Sequence, residues 1–138
     1  MREIFDDQNK INYQLEIEAS AAESQSEIGI IPKDAAKNIA KVARSGKVTV
    51  RRVKQLEAKS DHDTAALVEA LSELCKHSAK PWTHYGLTSN DLVDTSNSMQ
   101  TRDALAIIEP KVAKLAIILA NLAMKRSEER RVGKECRL

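Results

Sequence analysis

Apolar positions in the first 45 residues recur at helical spacing and not at the alternation of a strand. Ile4, Phe5, Ile11, Leu15, Ile17 and Ala22 trace one face of a helix that runs through Glu27, and Gly29 is placed to stop it. A second helix starts at Pro32, whose ring suits a first-turn position, with Asp34 complementing the positive helix end. Ile39, Val42 and Ala43 supply its apolar face, and Gly46 terminates it. Val48-Thr49-Val50 is β-branched and could form a short strand, but the Val50, Val53, Leu56 spacing predicts a helix. In "SDHDTAALVEALSELCKHS" an Asp or Thr cap between Asp61 and Thr64 leads into a Leu67, Val68, Leu71, Leu74 seam that ends before Pro81. After Ser89 the pattern predicts one long helix, or a pair, bent or restarted near Pro110. The expected fold class is all-α.

The last stretch has a different character. From Val112 to Met124 the sequence is apolar almost all round, interrupted only by Lys114 and Asn121. Such a helix must be sheathed by other helices. This chain holds too few to do so, and the expectation is that partner chains or further sequence cover it. The pattern therefore divides into a helical domain over 1–110, the start of a long-helix bundle over 111–125, and a tail over 126–138.

Composition agrees with this picture: aromatics are 3% and hydrophobic residues 42% of the 138 residues, a mixture suited to aliphatic helical seams. No run approaches the roughly 18 apolar residues of a membrane span, and "MREIFDDQNK" lacks the apolar core of a signal peptide. Cys75 and Cys136 are far apart and without metal-ligand spacing, which argues against a disulfide framework and a zinc site. A cytoplasmic protein with no membrane partner is expected.

Net charge changes the reading of the tail. "RSEERRVGKECRL" carries five of the 22 Lys and Arg residues and three of the 20 Asp and Glu, which leaves 17 of each sign in the body. The formal +2 is thus confined to the tail, and nucleic-acid binding is not expected. The same segment resembles the in-frame translation of a short-read sequencing adapter, and residues 126–138 are read as a non-native scar in place of a natural basic tail.

The chemically dense stretch is "WTHYGLTSNDLVDTS", Trp82 to Ser96, with one histidine, two aspartates and five Ser or Thr residues. A helix N-terminus offers unpaired N–H groups and the positive end of the macrodipole, a site for a carboxylate or phosphate. Thr88-Ser89-Asn90-Asp91 also has the order of plain helix capping, with nothing bound. Gly86, which lets backbone come close, the two hydroxyls of Thr88 and Ser89, and His84 just before them favour a pocket. A second His-bearing helix start, His62-Asp63, adds to it.

"HYGLTSNDLVDT" resembles the first conserved region of the fumarase/aspartase superfamily, His-x-Gly-x-Thr-Ser-x-Asp-x-x-x-Thr. "SDHDTAALVEAL" and the N-terminal "MREIFDDQNKINYQLEIEASAAESQSEIGIIPKDAA" resemble the adenylosuccinate lyases within it, over about Met1 to Lys125. The resemblance implies the N-terminal helical domain of that superfamily followed by the start of its central helix bundle, assembled as a homotetramer. It implies anti β-elimination of fumarate from a purine nucleotide, adenylosuccinate or the succinyl-carboxamide ribotide, with no metal or organic cofactor. Thr88 and Ser89 would bind a carboxylate of the succinyl portion, His62 and Asp63 would contact substrate from the other loop, and His84 would line the same pocket. Asp61 stands where the family has Lys or Arg, which weakens any contact from that position, and Thr64 replaces an aliphatic residue. An Arg-Tyr substrate element expected slightly upstream of "MREIF" is not in the sequence. The general-acid histidine and base serine are expected downstream of residue 125, so the chain by itself should not turn over. Two other readings stay open: a different superfamily member, such as a carboxymuconate cycloisomerase or argininosuccinate lyase, and a non-catalytic helical interaction module binding through Val112–Met124.

Overall fold

The computed structural model describes residues 1–132, with side chains described through Arg126. Five α-helices account for most of it: α1 Asp7–Glu27, α2 Lys33–Ala43, α3 Val50–Ser60, α4 Asp63–Leu74 and α5 Ser89–Val132. Single 3₁₀ turns lie at Glu3–Phe5 and Lys80–Trp82, and there is no strand among the described residues. The all-α expectation holds. The chain divides into two compact units, Met1–Arg102 and Asp103–Leu138, so the boundary between them falls within α5, before the position 110 at which the sequence pattern divided it.

In the first unit α1 packs along α2 and α3 along α4, with further contacts of α1 to α3 and of α2 to α4. The α1/α2 seam is alanine-rich: Ala19 and Ala22 face Ala35, Ala36, Ala40 and Ala43 within one buried cluster. Side chains that small let two helix backbones approach closely, and Leu15 and Ile39 of the same cluster are almost wholly buried. Leu67 and Leu71 of α4, Val48 before α3 and Leu92 of α5 complete the core, each almost wholly removed from water. Full burial of one such side chain contributes about 1.5–3 kcal/mol.

Local chemistry explains where the helices begin and end. Asp6 is extended (φ −71°, ψ 145°) and accepts the Lys10 N–H, so α1 starts at Asp7. The sequence pattern carried that helix back to Ile4; Ile4 and Phe5 instead lie in the 3₁₀ turn or at its end, and Phe5 is 57% exposed. Gly29 (φ +80°) ends α1 as predicted, with the Ile30 N–H donating back to the Gln25 carbonyl at 2.9 Å. Pro32 is the residue before the first turn of α2 and not within it. Thr49 caps α3 by accepting the Arg52 N–H, which is why the β-branched Val48-Thr49-Val50 run enters a helix. Gln8 of α1 clasps that entry, donating to the Val48 carbonyl and accepting the Val50 N–H, both at 3.0 Å.

Two details of α4 depart from the sequence pattern. The cap is neither Asp61 nor Thr64 but His62, whose Nδ1 accepts the Ala65 N–H at 3.2 Å. Leu74 is 45% exposed because the chain leaves the helix at Cys75, and the thiol takes the inward place instead. Burial pushes that thiol up to about 11, as befits a small hydrophobe.

In the second unit α5 continues through Pro110 to Val132 as one helix. Leu105, Ile108, Val112, Leu115, Ile117, Ile118, Leu119, Leu122 and Met124 are 39–63% exposed. No described helix is long and apolar enough to cross a membrane. Residues 133–138 of the adapter-like tail, Cys136 among them, lie outside the described residues.

Candidate active site

Three chain segments of the first unit line a cavity of about 610 Å³: one face of α4 along its length, from the His62 cap to Glu73, the 80–84 turn and the start of α5. His62, Thr64, Val68 and Ser72 line it from α4, Lys80, Thr83 and His84 from the turn, and Ser89 from α5. The two histidines that stand 22 positions apart in sequence therefore share one cavity with Ser89.

Each histidine is held by a different bond at the same ring atom. At His62, Nδ1 accepts the Ala65 N–H, so the neutral ring carries its proton on Nε2. At His84, Nδ1 lies 2.6 Å from Oε1 of Glu18, and the His84 backbone N–H donates to Oε2 of the same carboxylate at 3.0 Å. A carboxylate can only accept, so here Nδ1 carries a proton, and in the neutral ring Nε2 is left as the acceptor. In their neutral forms the two imidazoles that line the cavity are therefore opposite tautomers, Nε2–H at His62 and Nδ1–H at His84.

The turn that carries His84 is built on α1. His84 is itself left-handed (φ +57°), and so is Gly86 (φ +70°). A side chain at Gly86 would sit 3.4 Å from Nε2 of Gln25, in a backbone conformation that favours glycine. Gln25 Nε2 donates to the Tyr85 carbonyl at 2.8 Å, and the Tyr85 ring packs on Trp82 with centroids 5.1 Å apart. Two α1 residues, Glu18 and Gln25, therefore fix a turn some 60 residues away.

The hydroxyl pair divides. Thr88 stands just before α5, and the Asp91 carboxylate accepts both its N–H (2.8 Å) and its hydroxyl (3.1 Å). This is the half of a capping box in which a third-position acid reaches back to the cap N–H. Ser89 has no side-chain hydrogen bond among the described residues and lines the cavity, whereas Thr88 is exposed and does not line it. Asp63 does not line it either: its carboxylate takes the Thr64 N–H at 2.6 Å, and it borders a second cavity of about 250 Å³ beside Asp7, Lys10 and Lys54. Asp61 is the exposed, left-handed residue (φ 51°) that ends α3 and lines neither.

Four charged contributors went unseen in the sequence. Glu18 looked like one acid among several on a Glu-rich helix, yet it lies three residues after Leu15 and four before Ala22, on the buried seam. A carboxylate at 2% exposure needs buried donors, and that register was the available signal. Lys80 brings a cation to the cavity, next to a proline that gave no chemical hint. Glu69 and Glu73 bring acids; the Arg52 guanidinium hydrogen-bonded to Glu73 (Nε to Oε2, 2.8 Å) holds that carboxyl below the usual range and offsets its charge. No group of three His, Cys, Asp or Glu side chains that could hold a metal exists among the described residues.

The model of the family described as Lyase matches residues 1–132. The chain belongs to that family. It is similar to adenylosuccinate lyase of Methanocaldococcus jannaschii, 42% identical over 123 residues, 89% of this chain and 27% of that one. Adenylosuccinate lyase of Methanothermobacter thermautotrophicus is 39% identical over 134 residues, covering 97% of this chain and 30% of the relative. The chain therefore spans less than a third of the length of these relatives. Among solved structures, a fumarate lyase from Mesorhizobium sp. BNC1 superposes with a TM-score of 0.80 at 34% identity, over 90% of this chain and 29% of that one. A 3-carboxy-cis,cis-muconate lactonizing enzyme from Pseudomonas putida does so with a TM-score of 0.81 at 31% identity, again over 90% and 29%.

Proposed function

We propose that this chain forms part of an adenylosuccinate lyase-type enzyme and that the 610 Å³ cavity is its contribution to the substrate pocket. The observation that carries the reading is the meeting of His62, His84 and Ser89 at that cavity, in a chain whose relatives named above are adenylosuccinate lyases at 39–42% identity. The reaction is β-elimination of fumarate from adenylosuccinate or the corresponding carboxamide ribotide. A base removes a carbon-bound proton beside a carboxylate, that carboxylate takes on aci-carboxylate character, and an acid protonates the departing nitrogen.

Negative charge grows on carboxylate oxygens as the proton leaves, and donors aimed at those oxygens stabilise the transition state. The Ser89 hydroxyl and the first-turn N–H groups of α5, with the Nε2–H of a neutral His62 at the α4 cap, are donors of the right kind, and Lys80 adds positive charge. Thr88 acts in this reading by fixing the start of α5, and Asp63 by fixing the start of α4; neither need touch substrate. Asp61 would stay outside the pocket. The groups that move the two protons, a histidine and a serine, are expected beyond residue 125. The assembly would be a cytoplasmic homotetramer in which α5 joins a central bundle, with no cofactor.

The likeness to a muconate lactonizing enzyme favours a second reading, a cycloisomerase on the same fold. One experiment separates them. The enzyme expressed from the complete reading frame is given adenylosuccinate, the succinyl-carboxamide ribotide, argininosuccinate and 3-carboxymuconate, and fumarate or lactone is measured. Fumarate release from the two purine substrates is expected; turnover of 3-carboxymuconate alone would establish the cycloisomerase.

A further inference from the structure

Glu18 is the most deeply buried acid of the first unit, 2% exposed on the seam of α1, and its carboxylate meets two atoms of one residue, the backbone N–H and the ring Nδ1 of His84. Burying a carboxylate is costly unless hydrogen bonds meet it, and a neutral residue at this register would pack without that cost. The cost has to be matched by something Glu18 does. Its two bonds act on two properties of His84, the backbone conformation and the ring tautomer. The bond to the backbone N–H holds a non-glycine residue in the left-handed region, a conformation costing about 1 kcal/mol or more. The bond to Nδ1 settles which ring nitrogen carries the proton.

We propose that Glu18 is a positioning residue of the pocket, which holds His84 as the Nδ1–H tautomer and so reserves Nε2 for the ligand. This rests on the reading of the cavity as the substrate pocket. A proton taken up by His84 then enters at Nε2, and Glu18 carries the compensating negative charge behind the ring. His62, at the same cavity, is held the other way by the α4 N-terminus, with its Nδ1 accepting. Glu18 thereby makes the two histidines unlike and gives them separate duties toward one ligand.

The test is long-range ¹H–¹⁵N correlation NMR on the uniformly labelled 138-residue chain, at a pH alkaline enough to leave imidazoles neutral. In the parent chain His84 is expected to show the Nδ1–H pattern and His62 the Nε2–H pattern. A parent spectrum with His84 protonated at Nε2 overturns the proposal without any variant. In Glu18→Gln the His84 Nδ1–H population is expected to be lost, since the amide can donate to Nδ1, while the His62 pattern stays. Unchanged His84 signals in a folded Glu18→Gln chain overturn the proposal. His62 is the internal control: should both patterns collapse through unfolding, the parent spectrum decides alone. Fumarate is then titrated into the parent chain. Its failure to move the Ser89 and His84 signals counts against the pocket reading and leaves the tautomer result standing.

Discussion

The Asp91 carboxylate accepts two hydrogen bonds from Thr88, one from its N–H at 2.8 Å and one from its hydroxyl at 3.1 Å. This pairing separates the adjacent hydroxyls into a residue that starts α5 and a residue, Ser89, left facing the cavity. It also places a negative charge in the first helical turn, where the macrodipole favours it. Asp91→Ala should therefore cost about 1 kcal/mol, lowering the thermal midpoint by about 3–5 °C for a chain of this size. Ser89→Ala should leave the midpoint within about 1 °C, since an unbonded surface hydroxyl contributes within about 0.5 kcal/mol. Thermal unfolding followed by circular dichroism compares the two variants, and equal losses would mean that Ser89 shares the cap.

Arg44, just past the end of α2, bridges two acids two turns apart on α1. It reaches Glu16 at 2.7 and 2.9 Å and Glu23 at 2.7 and 2.9 Å. The guanidinium hydrogen bonds hold both carboxyls below their ordinary value of 4.5, and the two acids raise Arg44. Because the folded-state values are depressed, the stabilisation is fully present above 4.5, the unfolded value, and is lost as pH falls through the folded values. Side chains 40–44% exposed limit each pair to below about 1 kcal/mol. Urea midpoints at pH 7 and pH 3 should therefore differ more for the parent than for Arg44→Gln, and less in high salt. Equal acid sensitivity would remove this bridge from the stability of the α1/α2 pair.

The exposed apolar side chains of the second unit carry a prediction about association. Val112, Leu115, Ile118, Leu119 and Leu122 are 46–56% exposed, an arrangement that isolated helices in water do not tolerate at high concentration. The chain should self-associate in sedimentation velocity, with the double substitution Leu115→Glu, Ile118→Glu returning it towards monomer. A parent chain that sediments as a monomer throughout would show that this face needs no cover.

Periodicity and stop signals were enough to find the helices, because aliphatic seams such as Ile11, Leu15, Ala22 and Leu67, Leu71 are local patterns that packing then enforces. Helix starts were less legible: His62 as the cap of α4 and Asp6 before α1 depend on which side chain reaches a free N–H, a matter of loop geometry. At the candidate site, motif spacing led to His62, His84 and Ser89, and also to Thr88 and Asp63, which bond Asp91 and Thr64, and to Asp61, which is exposed at the end of α3. Spacing brings loops together but does not say which of two neighbouring side chains faces inward. Glu18 was the opposite case. Its role depends on a contact 66 positions away, and only its place on a buried seam could have pointed to it.

The last prediction concerns Ser89 in the enzyme expressed from the complete reading frame. If the hydroxyl donates to the carboxylate on which charge develops, Ser89→Ala removes one charge-assisted hydrogen bond, worth roughly 1.5–3 kcal/mol. Catalytic efficiency should then fall by about 10- to 150-fold, at about 1.4 kcal/mol per decade. The loss should lie mainly in kcat if the bond strengthens as the aci-carboxylate forms, and mainly in KM if it holds the ground-state carboxylate equally well. Thr88 keeps the Asp91 bonds in this variant, so α5 still starts in the same place and the fold supplies no competing explanation. Steady-state kinetics and thermal unfolding on the same sample decide the matter. Activity per folded molecule at the parent level would make Ser89 a spectator of the pocket it lines.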